Sequence, residues 1–196
     1  MTLDLTRSPH EVAPELVGAQ LYVDGVGGVI VEVEAYDHED PAAHGFGNRR
    51  TERNASMFLE GGHAYVYRSY GIHWCLNVVC GEVGVAGAVL IRALKPTRNV
   101  FEMRQRRGLS DIRLLCSGPG RLCQALGVTR ELDGMRLDRK PFRVVARGEG
   151  AVVVHAGVRI GITKSRELPW RFVLAESPFL SKPLAATAGS VRARRR

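Results

Sequence analysis

The stretch Gly28-Val-Ile-Val-Glu-Val-Glu-Ala-Tyr36 decides how this chain is read. It reads as a strand, in which side chains alternate between faces. Val29, Val31, Val33 and Ala35 then form a core side, and Glu32, Glu34 and Tyr36 share the other. Neighbours on one face of a strand are spaced about 7 Å along its rise. Glu34 and Tyr36 are therefore placed as an acid and a ring meeting one ligand. Carboxylates on the solvated face of a half-buried strand give the same pattern. From the residues alone, Glu32 and Glu34 are rivals for any chemical role.

The flanking sequence extends this strand into a sheet. Gln20 to Asp24 reads as a first strand, and Asp24-Gly25 supplies the tight turn that pairs it with the Val29 to Ala35 segment. A short helix over Glu11 to Leu16, stopped by Gly18, precedes it. Residues 37–62 are polar and glycine-rich, carry Arg49, Arg50 and Arg53, and keep no period, as expected of a loop that is functional or disordered. Two aromatic, β-prone runs between Ala64 and Val79 meet at Ser69-Tyr70-Gly71-Ile72, which predicts a hairpin with Tyr70 at its tip. A tyrosine on an exposed turn is either a lid over a local cluster or a tool.

Ala88 to Ala93 reads as a strand ended by Pro96. Asn99 is placed to cap a helix, with Glu102 three residues on and Gly108 as its stop. A second helix opens near Ser117-Gly-Pro-Gly120, passes Leu122 and Leu126 and closes at Gly127. Its glycine-rich amino end beside Arg121 suits a phosphate. Phe142 to Ile162 alternates as strands do, most clearly at Val152 to His155, and Trp170 to Leu174 makes a final strand. After Pro183 the small, basic tail is expected to be disordered.

A length of 196 residues suits one domain with a sizeable core. The expected fold is α+β: residues 1–183 as one domain with a curved, largely antiparallel sheet, flanking helices and a protruding hairpin, and 184–196 as the tail. A formal charge of +8 and a pI near 9.8 point to a polyanionic partner, nucleic acid before anionic lipid. Cys75, Cys80, Cys116 and Cys123 lack paired metal-ligand spacing and read as reduced thiols. No apolar run is long enough to span a bilayer, and the start lacks a secretory pattern, so the expected location is the cytosol.

Several separated segments together identify a family. They are Ile30-Val-Glu-Val-Glu-Ala-Tyr36, Ala42-Ala-His44, Thr51-Glu-Arg-Asn54 with Met57-Phe58, Tyr65-Val-Tyr67, Tyr70-Gly71, Asn77, Leu90-Ile-Arg-Ala-Leu-Lys-Pro96, and Cys116-Ser-Gly-Pro119 with Leu122-Cys-Gln-Ala-Leu126. In this order, over roughly Glu15 to Pro183, the chain resembles the alkyladenine (3-methyladenine) DNA glycosylases of the mammalian type. The resemblance implies that Glu34 is the general base, Arg92 the cation beside it, and Tyr36, His44, Tyr67 and Asn77 the pocket for the damaged base. It implies that Tyr70 fills the gap left in the duplex. Ile72 and His73 differ from the residues of the best-known members at those positions.

Such an enzyme needs no metal or other cofactor, and no lysine stands where a lyase nucleophile would. The expectation is a monomeric, monofunctional hydrolase acting on duplex DNA with damaged purines: 3-methyladenine, ethenoadenine or hypoxanthine. It leaves an abasic site. Arg49, Arg53 and Arg121 are the candidate phosphate contacts, giving salt-sensitive, sequence-independent affinity. The rival is a module that recognises distorted DNA without chemistry. A buried carboxylate next to phosphates would only cost such a binder affinity.

Overall fold

The computed structural model describes residues 3–148, 150, 152–184 and, as backbone, 190–192. Its strands are β1 (Gln20–Val23), β2 (Val26–Asp37), β3 (Ala64–Ser69), β4 (His73–Val79), β5 (Gly87–Arg98), β6 (Phe142–Val145), β7 (Val153–Gly157), β8 (Arg171–Leu174) and β9 (Ser190–Arg192). They form one sheet in the order β3-β4-β5-β2-β8-β7-β9, with β1 bridging β2 and β6. Every pairing is antiparallel. The helices are α1 (Pro9–Leu16), α2 (Val100–Arg107), α3 (Ile112–Leu115) and α4 (Pro119–Leu126). The α+β, single-domain expectation holds. None of these helices is long and apolar enough to cross a membrane.

β2 is the spine of the sheet, and it changes partner midway. Val26 to Val29 pair with β1, Glu32 to Glu34 pair with β8, and β5 runs along the opposite edge of β2. The register with β5 shifts between Ile30 and Glu32 and again before Val33. A bulge of this kind bends a strand and re-aims its side chains. It corrects the simple alternation: Ile30, with Val33 and Ala35, joins the main core cluster, whereas Val31 is buried outside it. Glycine at 27 and 28 permits the close approach at the start of β2. A Cβ there would lie 2.0 Å from the Leu21 and Lys95 carbonyl oxygens respectively.

Three other expectations are corrected. β5 does not end at Pro96 but runs to Arg98. β4 pairs with β5 only as far as Leu90, so Pro96 sits where the strand lacks that neighbour, a setting that tolerates proline. Asn99 does not cap α2 through its side chain, which donates to the Gly25 carbonyl at 3.0 Å instead. Glu102 pairs with Arg106. Val158 to Ile162 leave the sheet as a loop after β7. The short helix α3, capped by Asp111, has no counterpart in the sequence reading.

Other readings hold. α4 begins at Pro119 and is closed by Gly127 in the left-handed region, as Gly108 closes α2. At eight residues α4 is too short to be stable alone. Buried Leu122 and Leu126 are each worth about 2 kcal/mol and hold it to the sheet. The main core lies between the sheet and α1, α2 and α4, and all four cysteines are free thiols in the interior. A smaller cluster of Met57, Phe58, Tyr65, Val79, Ala86 and Ala88 lies under the loop at 37–62. Of the expected disordered tail, Ser190–Arg192 pair with β7, and 185–189 and 193–196 lie outside the described residues.

The β3–β4 hairpin turns at Tyr70 and Gly71, with φ of 49° and 68°, and the Ile72 N–H donates to the Ser69 carbonyl at 3.0 Å. Ser69 pairs with His73, so the loop has three residues, and within it positive φ at both central positions of the Ser69–Ile72 turn is the conformation that usually carries Asn-Gly. Tyr70 occupies it at a steric cost of about 1 kcal/mol, and the residue is 88% exposed. The lid alternative fails on that exposure.

Candidate active site

Glu32 and Glu34 do not face solvent: both are fully buried. Arg92 on β5 and Arg171 on β8 flank them, so the four charges sum to zero, as burial of ions requires. Glu32 accepts from Arg92 Nε at 2.9 Å, Arg171 Nε at 2.9 Å, Ser181 Oγ at 2.7 Å and Ser181 N–H at 2.6 Å. Three of these donors share Oε1 and the Ser181 N–H alone reaches Oε2, so Glu32 is held by four donors from β5, β8 and the segment after β8.

Glu34 differs. Its Oε2 accepts from the Tyr36 hydroxyl at 2.9 Å and Arg92 Nη1 at 3.1 Å, and its Oε1 accepts from the Ile160 N–H at 2.7 Å. Oε1 accepts only one of the three, so an acceptor site remains there. All three partners of Glu34 line an open cavity of about 840 Å³, whereas Arg171 and Ser181 do not. Burial alone would lower the Arg92 pKa, but the adjoining Glu34 and Glu32 more than offset it and raise it above the ordinary value. Burial first, then the Glu34 charge and hydrogen bond, push the Tyr36 phenol well up, so its O–H stays a donor at any working pH.

The opposite side of the cavity is aromatic. Tyr65 and Tyr67 stack at 5.3 Å, and His44 meets Tyr67 edge-on at 4.5 Å while its Nδ1 lies 2.9 Å from the Tyr65 hydroxyl. His44 is exposed toward the open cavity, yet the crowding of these rings desolvates it. That burial, and secondarily the Arg53 charge, lower its pKa and keep the imidazole neutral at pH 7. Asn77 on β4 is buried in the same wall, with Nδ2 donating to the Tyr65 carbonyl at 2.9 Å. The Cys75 thiol lies beside Tyr67 in this wall, its pKa raised by burial.

The structure thus brings Glu34, Tyr36, His44, Tyr67, Asn77, Tyr70 and Arg92 to one cavity, with Glu34 just behind its surface. The arginines expected on phosphates are split. Arg53 lies on the cavity wall, 5.6 Å over the Tyr67 ring, and donates to the Arg68 carbonyl at 3.2 Å. Arg49 is exposed on the loop before it, outside the cavity. Arg121, at the start of α4, folds back onto Ser117 Oγ at 3.1 Å, and Pro119 beside it borders the cavity.

The sequence reading missed Arg171, Ser181, Tyr65, Asp40 and Arg159. A usable signal existed for Arg171 and Arg159: each is a lone arginine in an apolar run, the counterpart of the two acids in the apolar run of β2. No local signal marks Asp40 or Ser181, whose partners Arg159 and Glu32 respectively lie more than 100 residues away in the chain.

A buried carboxylate one side chain away from an aromatic pit, on a strongly basic protein, suits hydrolysis at a base of a nucleic acid. The protein is a DNA glycosylase, a hydrolase of base excision repair. It belongs to the methylpurine-DNA glycosylase family, whose model matches residues 4–178. Three relatives, each named "Putative 3-methyladenine DNA glycosylase", are similar along nearly their whole length. That of Rhodopseudomonas palustris (strain BisB18) is 63% identical over 179 residues, covering 91% of this chain and 88% of the relative. That of Nitrobacter winogradskyi is 62% identical over 177 residues, covering 90% and 84%. The Nitrosospira multiformis protein is 56% identical over 182 residues, 93% of each chain.

Proposed function

We propose that this glycosylase flips damaged purines out of duplex DNA into the cavity and hydrolyses the N-glycosidic bond, with Glu34 as general base. The purines are 3-methyladenine and, beyond it, ethenoadenine and hypoxanthine. The observation that carries the reading is the unequal wiring of the two glutamates. Glu32 is held by four donors, three of them from Arg171 and Ser181 away from the cavity, whereas Glu34 has three donors, all from groups of the cavity wall, and its Oε1 accepts only one of them.

Cleavage builds positive charge on the deoxyribose. An ionised Glu34 stabilises that charge and takes a proton from the attacking water. The water oxygen bonds to the anomeric carbon, and the purine leaves with the electrons of the broken C–N bond. An already cationic 3-methyladenine is a good leaving group without further protonation, whereas a neutral hypoxanthine needs protonation or strong electrostatic help, so the lesions test the site differently. Arg92 joins Glu34 to Glu32 and holds the base in place.

Extrusion costs a few kcal/mol. Base–aromatic stacking returns about 1–3 kcal/mol per ring, so Tyr36 and Tyr67 together roughly balance it. Tyr70 then fills the vacated step from the minor groove, as other apolar wedges do. Arg49, Arg53 and Arg121 act on the DNA backbone, and the enzyme works as a monomer in the cytoplasm without a cofactor.

Single-turnover release from duplexes carrying 3-methyladenine, ethenoadenine or hypoxanthine tests the reading. Release of at least one is expected; tight lesion binding with no release from any would overturn it. Two variants probe separate parts. Tyr36→Phe keeps the ring but removes a charge-assisted hydrogen bond to Glu34. Its release rate is expected to fall about tenfold with lesion affinity within about twofold. An equal fall in both would mean that the ring, not the hydroxyl, is what matters. Tyr70→Asn is expected to raise stability to urea by about 1 kcal/mol, since asparagine suits the turn. It should also weaken lesion binding at least about tenfold, with undamaged-duplex binding nearly unchanged. Equal weakening of both would remove Tyr70 from lesion recognition.

A further inference from the structure

We propose that the buried Arg159–Asp40 pair is the positioning device of the site, clamping the two loops on either side of Tyr36 so that the Ile160 N–H stays on Glu34. The inference rests on Glu34 being the general base. Both side chains are wholly buried, and a buried ion pair is a poor way to gain stability, because apolar residues of similar size do as well or better. Its wiring suggests another use.

The guanidinium makes bonds to three residues, each next in sequence to one that lines the cavity. Nη1 donates to an Asp40 oxygen and, at 2.8 Å, to the Ala35 carbonyl, which sits between the base Glu34 and the ring Tyr36. Nη2 donates to Asp40 at 3.1 Å and to the Ser165 carbonyl at 3.3 Å, at the far end of the loop whose residues Ile160 to Lys164 line the cavity. Its plane lies over Tyr36 at 4.6 Å and Trp170 at 5.3 Å from the ring centroids. One face of Tyr36 is thereby covered, and the other is left to a base. The residue after this arginine supplies the N–H that Glu34 accepts at 2.7 Å.

Asp40 extends the clamp to the other loop. Its Oδ1 also accepts from the Ala42 N–H at 3.0 Å, and its carbonyl accepts from the Ala43 N–H at 2.8 Å. That turn carries the chain through Pro41, Ala42 and Ala43 to His44, all of which line the cavity. One guanidinium therefore sets the acid, the ring and the histidine segment together. A lysine, a single point charge on a flexible stem, cannot reproduce a planar fork that reaches four acceptors.

Arg159→Lys and Asp40→Asn in the full-length protein test this, with Asp40→Asn as the milder change because asparagine retains an acceptor for the Ala42 N–H. Two readouts are taken from folded samples: the maximal single-turnover release of methylpurines from methylated duplex DNA, and the affinity for a duplex carrying a tetrahydrofuran abasic analogue. A misplacement of about 1 Å at a reacting group costs on the order of 100-fold in rate. Release is therefore expected to fall by about 30- to 100-fold, with affinity within about twofold. Parallel losses of rate and affinity would reduce the pair to a structural element and overturn the proposal, as would a wild-type rate in Asp40→Asn. Glu34→Gln run alongside separates the two readings. If it retains activity, the general base has been misassigned. If it is inactive while both clamp variants are fully active, the positioning role alone falls.

Discussion

Glu34→Gln is expected to lower single-turnover release of a methylated purine by at least about 10³-fold and leave lesion-duplex affinity equal or tighter. A positioned general base contributes about 10²–10⁴-fold, and loss of the negative charge facing the developing sugar cation adds to this. Glutamine keeps the length and shape of the side chain, and its amide oxygen can still accept the Ile160 N–H. The opposite atom becomes an NH2 donor and accepts from neither the Tyr36 hydroxyl nor Arg92 Nη1. The sign of the binding change follows from charge. The buried group of Glu32, Glu34, Arg92 and Arg171 goes from neutral to one positive charge, which favours a polyanion. A rate loss with retained or improved affinity therefore belongs to chemistry, and it is read in single-turnover kinetics beside equilibrium binding. A variant that releases base at the wild-type rate would remove Glu34 from the mechanism.

Much of this site was legible because its parts are local. Glu34 and Tyr36 stand two residues apart on one strand, so alternation alone aligned them, and they bond at 2.9 Å. Tyr70 was marked by a turn between two β-prone runs, and the turn exists. The illegible parts depend on which strand lies beside β2. Nothing in Gly28 to Tyr36 indicates that β8 pairs with it at Glu32 to Glu34 and puts Arg171 against the acids, 139 residues away. The bulge at Val31, against β5 where the other edge of β2 passes from β1 to β8, could not be read from alternation either. Pro96 misled for a similar reason: proline ends a strand only where its missing N–H is needed, and the tertiary neighbourhood decides that. Likewise, Val158 to Ile162 alternate as a strand does, but their backbone and the Arg159 guanidinium are committed to the cavity wall.

The opposite assignment for the neighbouring acid gives the largest expected change in stability. Glu32→Ala removes the acceptor for four hydrogen bonds and leaves Arg92 and Arg171 buried with one carboxylate between them. Breaking a buried ion network by deleting one partner costs about 3–5 kcal/mol, because the desolvated charge left behind has no compensation. Against a typical total of about 5–15 kcal/mol, that is a large fraction, and the urea midpoint should fall accordingly with little change in slope. The cost should exceed that of Glu34→Gln, which keeps the volume of the side chain and part of its bonding. Activity should also fall in whatever fraction stays folded, since Arg92 reaches Glu34 while its Nε is held by Glu32. On the proposed reading the two glutamates divide the work by wiring rather than by type: the one tied to Arg171 and Ser181 fixes the cation, and the one bonded only to the cavity wall meets the water. Loss of less than about 1 kcal/mol in Glu32→Ala would mean that Ser181, Lys182 and Glu34 hold the arginines without it, and the anchoring role would pass to the segment after β8.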